Sequence, residues 1–159
     1  MNHKCDTDAR VCFYEQEFYM LSNFSAFEVD LYGQNFKTSE HAYQWLKFAG
    51  TRYQGIAEQV RDARSAHDAF KLAELYADMR RPDWNKVKVG EMLLILRQKA
   101  NQHEYVHRKL LETGDRLLVE DSWRDDYWGW GRDKDGRNML GKLWMDIRDE
   151  IRAAAEDSQ

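Results

Sequence analysis

The sequence predicts a mainly α-helical fold in a compact single domain, with a small β element near the N-terminus. The chain has 159 residues, a length typical of one domain. Its single proline and nine glycines favour long helices with few interruptions. Hydrophobic residues make up 43% of the chain and aromatic residues 13%, which is enough to build a core and excludes a wholly disordered protein.

The N-terminal third carries the predicted β element. Residues 1–10 are polar and charged and are expected to form a frayed or disordered N-terminus, so the domain is predicted to span 11–155. Residues 11–19 are rich in β-branched and aromatic side chains and are expected to contain a strand. After a predicted turn at 21–24, residues 27–32 alternate apolar and polar side chains as a half-buried strand does.

From Thr38 onward the hydrophobic spacing becomes helical. Thr38 or Ser39 is expected to cap a helix that runs to about Ala49, with Gly50 as its stop. Four more helices are predicted, at about 56–63, from Ser65 to before Pro82, at 84–101 and at 105–111. A short apolar segment at 117–119 and a loop over 121–137 follow. The last predicted helix is capped by Asn138 and has apolar residues at helical spacing as far as Ile151.

Charge and cysteine content restrict the class of protein. The chain has 24 Lys and Arg residues against 28 Asp and Glu residues, a formal charge of −4. This balance argues against indiscriminate binding to duplex DNA, which requires many phosphate contacts, but allows a nucleotide-sized ligand. Cys5 and Cys12 are expected to be free thiols, as in a reducing compartment. Because neither a signal peptide nor an apolar run of roughly 20 residues is apparent, the cytosol is the expected location, with no membrane partner.

The first candidate site lies on the helix after Thr38. Glu40, Gln44 and Lys47 follow i, i+4, i+7 spacing and share one helix face. In the first turn, the helix dipole favours the ionised form of Glu40, whereas burial would oppose ionisation. A carboxyl group balanced in this way can act as acid, base or nucleophile. The alternative is an ordinary surface helix, and His41 is either a proton carrier or a structural histidine.

The second candidate site is the segment 125–131, with the sequence Asp-Asp-Tyr-Trp-Gly-Trp-Gly. Aromatic side chains in a loop can sandwich a flat heterocycle, and glycine lets a backbone approach a ligand closely. An aspartate beside such a platform can hydrogen-bond a sugar or activate a water molecule. The alternative is a loop whose aromatic side chains fold back into the core.

Five blocks of sequence, in order, resemble the YbiA-like family, which is also called NADAR for its inferred link to NAD and ADP-ribose. The resemblance extends from about Phe13 to Arg152. The blocks are Leu21-Ser22-Asn23-Phe24, then Thr38-Ser39-Glu40-His41 with Gln44 and Lys47-Phe48, then Trp84, then Asp125 with Trp128-Gly129-x-Gly131, and finally Asn138-x-Leu140-Gly141-Lys142-Leu143-x-Met145.

The resemblance implies a compact YbiA-like helical fold and hydrolysis of N-glycosidic bonds to ribose. Members are associated with two activities. One releases ribose phosphate from early intermediates of riboflavin biosynthesis, and the other removes ADP-ribose from guanine in nucleic acid. The family's catalytic carboxylates fall on Glu40 and Asp125. Trp130 occupies a position where some relatives carry aspartate. This difference bears on which base the substrate carries more than on the reaction.

The chemistry of such a reaction assigns roles to these residues. Cleavage builds positive charge on the sugar, so Glu40 is expected at the reacting carbon and Asp125 at the ribose hydroxyls or in acid–base work. Stacking on the departing base is assigned to Trp128 with Trp84 or Tyr127, and phosphate or ribose binding to Asn23, Gln44 and Lys47. The predicted substrate-binding set also contains Phe24, Gly129 and Asn138.

The reaction requires no metal or organic cofactor. The expected partner is a ribosylamino-pyrimidine phosphate. Two alternatives remain open, namely ADP-ribosylated guanine in DNA as the substrate and a module that binds ADP-ribose or NAD without turnover. The sequence does not establish the oligomeric state.

Overall fold

The helices dominate the architecture. The structure is a computed structural model that describes residues 5–14 and 16–158. Within these residues the α-helices are α1 (Ser39–Leu46), α2 (Gln54–Arg61), α3 (Ala66–Leu75), α4 (Trp84–Gln102), α5 (Glu104–Glu112) and α6 (Met139–Asp157). The strands are β1 (Arg10–Cys12), β2 (Val29–Leu31), β3 (Gln34–Phe36) and β4 (Leu117–Val119), and short 3-10 helices cover Gln16–Leu21 and Ala77–Met79. The predicted mainly α-helical fold with a small β element is confirmed.

Backbone contacts divide the chain into two compact units. The central unit comprises 23–102, and the terminal unit combines the chain before Asn23 with the chain from His103 onward. The prediction of a single domain over 11–155 stays a prediction.

In the central unit, β2 and β3 form an antiparallel hairpin, and β2 packs on α4. Val29 pairs with Phe36 and Leu31 with Gln34. The turn between them uses Tyr32 at φ 50° and Gly33 at φ 73°, two consecutive left-handed residues as in a tight hairpin turn. The strand predicted over 27–32 is present as the shorter β2, and β3 was not predicted.

The helices of the central unit surround α1, which contacts α2, α3 and α4. The predicted caps are present, since Thr38 caps α1 and the Ser65 hydroxyl accepts a hydrogen bond from the Asp68 backbone N–H at 3.0 Å. Helix α1 ends at Leu46, three residues before its predicted end at Ala49, and Gly50, at φ 74°, lies in the turn that follows. The predicted helix at 56–63 is α2, which begins and ends two residues earlier.

The terminal unit is built on a parallel pairing of β1 with β4, in which Arg10 faces Leu117 and Cys12 faces Val119. Helix α6 packs on β4. Trp144 of α6 is fully buried and donates its indole N–H to the Leu21 carbonyl at 2.9 Å. The strand expected within 11–19 is β1, which ends at Cys12, and a 3-10 helix occupies Gln16–Leu21.

The N-terminal segment is held by a disulfide between Cys5 and Cys12, so the prediction of free thiols is wrong. A backbone hydrogen bond from Thr7 to Arg10, at 2.8 Å, turns the chain back toward β1. The Asp6 carboxylate accepts from the Cys12 backbone N–H at 2.7 Å. Of the segment predicted to be frayed, 1–4 lies outside the described residues, and Arg10 is already part of β1.

None of the helices in the described part of the chain has the length and apolar character of a membrane span.

Candidate functional site

The start of α1 forms the first part of the site. Thr38 has extended backbone geometry, with φ −147° and ψ 165°, and its hydroxyl accepts from the His41 backbone N–H at 3.2 Å. Every residue of α1 is buried, and Glu40 is only 7% exposed. The alternative of an ordinary surface helix is therefore wrong.

The Glu40 carboxyl group is oriented by its neighbours. The Gln44 side-chain amide donates to Glu40 Oε1 at 2.7 Å, which is the i, i+4 contact that the spacing predicts. The Glu40 backbone N–H donates to the Asn23 carbonyl at 3.1 Å. The segment containing Asn23 therefore lies against the first turn of α1.

The two residues that hydrogen-bond with Glu40, Asn23 and Gln44, each carry a buried side-chain oxygen. Asn23 Oδ1 and Gln44 Oε1 have no hydrogen-bond partner among residues 5–14 and 16–158. The Asn23 amide donates instead to the Met92 sulfur at 3.5 Å. A buried acceptor left without a donor costs about 1–3 kcal/mol, so such atoms call for an explanation. A ligand rich in hydroxyl or N–H groups would supply the donors that these acceptors lack.

Lys47 adds a cation at the other end of α1. Its ammonium nitrogen lies 5.2 Å from the centre of the Tyr43 ring and 5.9 Å from the centre of the Trp84 ring. Burial lowers the pKa of Lys47 below 10.5, and attraction to Glu40 partly opposes this shift. The two rings are 5.1 Å apart, and both are buried. The stacking of a base on Trp84 stays a prediction.

His41 has partners at both ring nitrogens. Nδ1 lies 2.8 Å from the Thr38 hydroxyl and Nε2 lies 3.0 Å from the Ala63 carbonyl oxygen. The side chain is fully buried. Desolvation lowers the pKa of His41 below 6.5, against the raising effect of its bond to Ala63. This environment fits a structural histidine better than a proton carrier.

The lowered pKa predicts a specific dependence of stability on pH. Below pH 6.5 the unfolded chain protonates His41 while the folded chain keeps it neutral, so this stability is complete above 6.5 and is lost as the pH falls toward the folded pKa. His41→Gln has no such titration. Urea unfolding at roughly pH 7.5 and pH 5.5 is therefore expected to show a larger stability difference between wild type and variant at the higher pH. An equal difference at both pH values would contradict the assignment.

The terminal unit carries the second candidate site, in the loop between β4 and α6. Asp125 Oδ1 accepts from the backbone N–H groups of Tyr127 and Trp128, at 2.9 and 2.8 Å. This is the aspartate turn that tightens a loop. The rings of Tyr127 and Trp128 meet edge to face, with centres 5.0 Å apart. The Arg137 guanidinium lies 5.6 Å from the Tyr127 ring centre.

Gly129 serves the packing of this loop. A Cβ atom at this position would lie 2.8 Å from the Asp125 carbonyl oxygen and 2.9 Å from that of Glu120. Both obstacles are backbone atoms, which cannot move without distorting the loop. Glycine is therefore required at position 129 because two backbone segments approach it closely. Contact of Gly129 with substrate stays a prediction.

Asn138 ties the loop to β4. Its Oδ1 accepts from the Glu120 backbone N–H and its Nδ2 donates to the Leu118 carbonyl, both at 2.9 Å. The residue precedes α6 in a left-handed conformation, with φ 51°, and its side chain makes no capping hydrogen bond. Asn138 thus occupies the predicted N-cap position of α6, although the cap contains no bond from its side chain. Both side-chain polar groups hold the chain at Leu118 and Glu120, and contact of Asn138 with substrate stays a prediction.

Trp130 belongs to the core of the terminal unit. It is 9% exposed and packs with Cys12 and Val119, and its indole N–H donates to the Asp121 carboxylate at 2.7 Å. By contrast, Trp123 is 61% exposed. The alternative that the loop folds its aromatic side chains inward is thus correct for Trp130, and the effect of this residue on base preference stays a prediction.

The structure groups the predicted site residues by unit. The central unit brings Asn23, Gln44 and Lys47 to Glu40, and Phe24 follows Asn23 with 40% of its surface exposed. The terminal unit joins Asp125, Tyr127, Trp128, Gly129 and Asn138 in one loop. Sequence analysis missed Tyr43, although its i, i+4 spacing to Lys47 was a usable signal. The described residues contain no group of three or more His, Cys, Asp or Glu side chains that could hold a metal ion.

Comparison with known proteins identifies related chains. The NADAR domain family model matches residues 12–152. A riboflavin biosynthesis protein of Vibrio vulnificus is 38% identical over 135 residues, covering 85% of this chain and 36% of that protein, so the chain spans about a third of that relative. An N-glycosidase of Nostoc punctiforme is 36% identical over 137 residues, covering 86% of this chain and 88% of that protein. The NMR structure of the E. coli protein YbiA has a TM-score of 0.82 and 32% identity, and the alignment covers 94% of this chain and 89% of that one.

Proposed function

Because the chain belongs to the NADAR domain family and is a hydrolase of the N-glycosidase class, we propose that it cleaves the ribosyl C–N bond of an early ribosylamino-pyrimidine phosphate of riboflavin biosynthesis, releasing ribose 5-phosphate. The name of the Vibrio vulnificus relative supports this substrate class. The observation that carries the proposal is the buried Glu40 carboxyl group, oriented by Gln44 and flanked by unpaired acceptors. A phosphorylated biosynthetic intermediate also fits the cytosol as the proposed location.

Glu40 is proposed as the group at the reacting carbon. Cleavage of a ribosyl C–N bond develops oxocarbenium character at C1, which a nearby carboxylate stabilises. The same carboxylate can take the proton of the attacking water as general base. A fixed orientation matters for both roles, because a misplaced base loses much of its effect. The hydrogen bond from Gln44 provides that orientation.

Asn23 and Gln44 are proposed to bind the ribose. Their unpaired oxygens are acceptors, and ribose hydroxyls are donors. Binding of the ribose would give these buried acceptors the donors they lack. The resulting hydrogen bonds would also fix the orientation of the sugar.

Lys47 is proposed to supply positive charge and a proton. The ammonium group fits the substrate phosphate as a point charge. Since burial lowers the pKa of Lys47, its proton is also easier to transfer to a departing nitrogen than that of an exposed lysine.

Asp125 is proposed to bind ribose hydroxyls or share the acid–base work, while its Oδ1 holds the loop turn. Asparagine keeps an acceptor for the backbone N–H groups of Tyr127 and Trp128 but removes the negative charge. Asp125→Asn is expected to keep its thermal stability and lose about tenfold or more in kcat, whereas Asp125→Ala is expected to lose both. Steady-state kinetics with thermal unfolding of each variant checks this, and undiminished activity in Asp125→Asn would remove the functional role.

A substrate comparison tests the proposed function. Purified protein is incubated with ribosylamino-pyrimidine phosphates and, separately, with an oligonucleotide bearing ADP-ribosylated guanine, and the released sugar is measured by mass spectrometry. We expect a higher kcat/KM for the pyrimidine. Preferential release of ADP-ribose would show that ADP-ribosylated guanine is the substrate, while the reaction would still be hydrolysis of an N-glycosidic bond. Tight binding of ADP-ribose without turnover of either compound would overturn the proposal.

A further inference from the structure

We propose that His41, held between Thr38 and Ala63, is a positioning residue that fixes the first turn of α1 and thereby the orientation of the Glu40 carboxyl group. The inference rests on the proposed function, in which Glu40 acts at the sugar. It gives His41 a role other than proton transfer.

The partners of His41 determine its tautomer. The Ala63 carbonyl oxygen can only accept a hydrogen bond, so Nε2, 3.0 Å away, must carry the proton. In the neutral ring Nδ1 is then an acceptor, and the Thr38 hydroxyl at 2.8 Å must be its donor. Neither ring nitrogen remains available to exchange a proton with substrate.

Thr38 and His41 form a closed pair of hydrogen bonds around Glu40. The Thr38 hydroxyl donates to the His41 ring and accepts from the His41 backbone N–H at 3.2 Å. Glu40 lies between the two residues in sequence, in the turn that this pair encloses. The hydroxyl has one proton, so its donation to His41 fixes the rotation of the group and the geometry of the cap.

The bond to Ala63 attaches this turn to a second element. Ala63 follows α2, and its carbonyl also accepts from the Lys37 ammonium group at 3.0 Å. The first turn of α1 is thus held through the Thr38 cap, through the Glu40 backbone bond to Asn23, and through the His41 ring to Ala63. A side chain fixed by such a second layer of contacts keeps its geometry during the reaction.

The test separates positioning from simple stabilisation by kinetics. Thr38→Val and His41→Leu each break the ring contact, whereas Thr38→Ser keeps the hydroxyl. Measured well below the melting temperature, the first two variants are expected to lose about 10- to 100-fold in kcat with KM changed by less than about threefold, as misplacement of a catalytic group predicts. Thr38→Ser is expected to restore kcat to within about threefold of wild type, and the double variant to lose less than the sum of the single losses.

A matched control and a substrate-independent readout complete the experiment. His67 is an exposed histidine on α3, and His67→Gln is expected to leave kcat unchanged. The side-chain amide signal of Gln44, which donates to Glu40, is expected to exchange with solvent faster in Thr38→Val than in wild type or Thr38→Ser. Unchanged kcat and unchanged Gln44 exchange in both ring-breaking variants would overturn the inference. An inactive wild type with the expected Gln44 exchange would instead overturn the proposed function.

Discussion

Replacing Glu40 with glutamine is expected to lower kcat by about 10²-fold or more, the largest effect on activity that we predict. Glutamine has nearly the same shape, and its carbonyl oxygen can still accept from Gln44. It carries no charge to stabilise an oxocarbenium ion and cannot accept a proton from water. The rate of release of ribose 5-phosphate checks this prediction.

The control for this variant is Glu156→Gln, at an exposed position near the end of α6. Its kcat is expected to equal that of wild type. Circular dichroism and thermal unfolding should show that Glu40→Gln remains folded. A folded Glu40→Gln protein with a near-normal rate would remove Glu40 from the mechanism.

Replacing Asn138 with alanine is expected to have the largest effect on stability. The substitution leaves the Glu120 N–H and the Leu118 carbonyl without their side-chain partners, and both original bonds are buried. Alanine also tolerates the φ of 51° less well than asparagine does. We expect a loss of about 2–5 kcal/mol in the free energy of unfolding, measured by urea denaturation.

Two further substitutions make this prediction specific. Asn138→Asp keeps the acceptor for Glu120 but has no N–H for Leu118, so an intermediate loss is expected. Asn85→Ala, at an exposed position on α4, is expected to change stability by less than about 0.5 kcal/mol. Equal stabilities for Asn138→Ala and Asn85→Ala would show that Asn138 does not hold the loop on β4.

The helices were predictable because their signals are local. Thr38 and Ser65 mark helix starts through their own side chains, and both side chains make the expected capping bonds. Gly50 was expected to stop α1, but the helix ends earlier, at Leu46. Strand β3 was missed because three residues, Gln-Asn-Phe, carry no alternating pattern. Its pairing depends on the turn at Tyr32 and Gly33. The disulfide was missed because its two cysteines meet only after the chain folds back beside β1.

The candidate site was partly predictable for a similar reason. Helical spacing placed Gln44 on the same face as Glu40, and the structure joins them by a hydrogen bond. The complete burial of α1 is a property of its packing partners, so the sequence left a surface helix possible. Likewise, Asn138 and Trp130 stand in a motif with functional residues, but contacts distant in sequence commit them to β4 and to the core.

The most direct test of N-glycosidase activity is a time course of product release from a ribosylamino-pyrimidine phosphate, comparing wild type with Glu40→Gln. We expect wild type to release ribose 5-phosphate and free pyrimidine in equal amounts over many turnovers, and the variant to release almost none. Intact substrate after prolonged incubation with wild type, or equal rates for the two proteins, would contradict hydrolysis by Glu40.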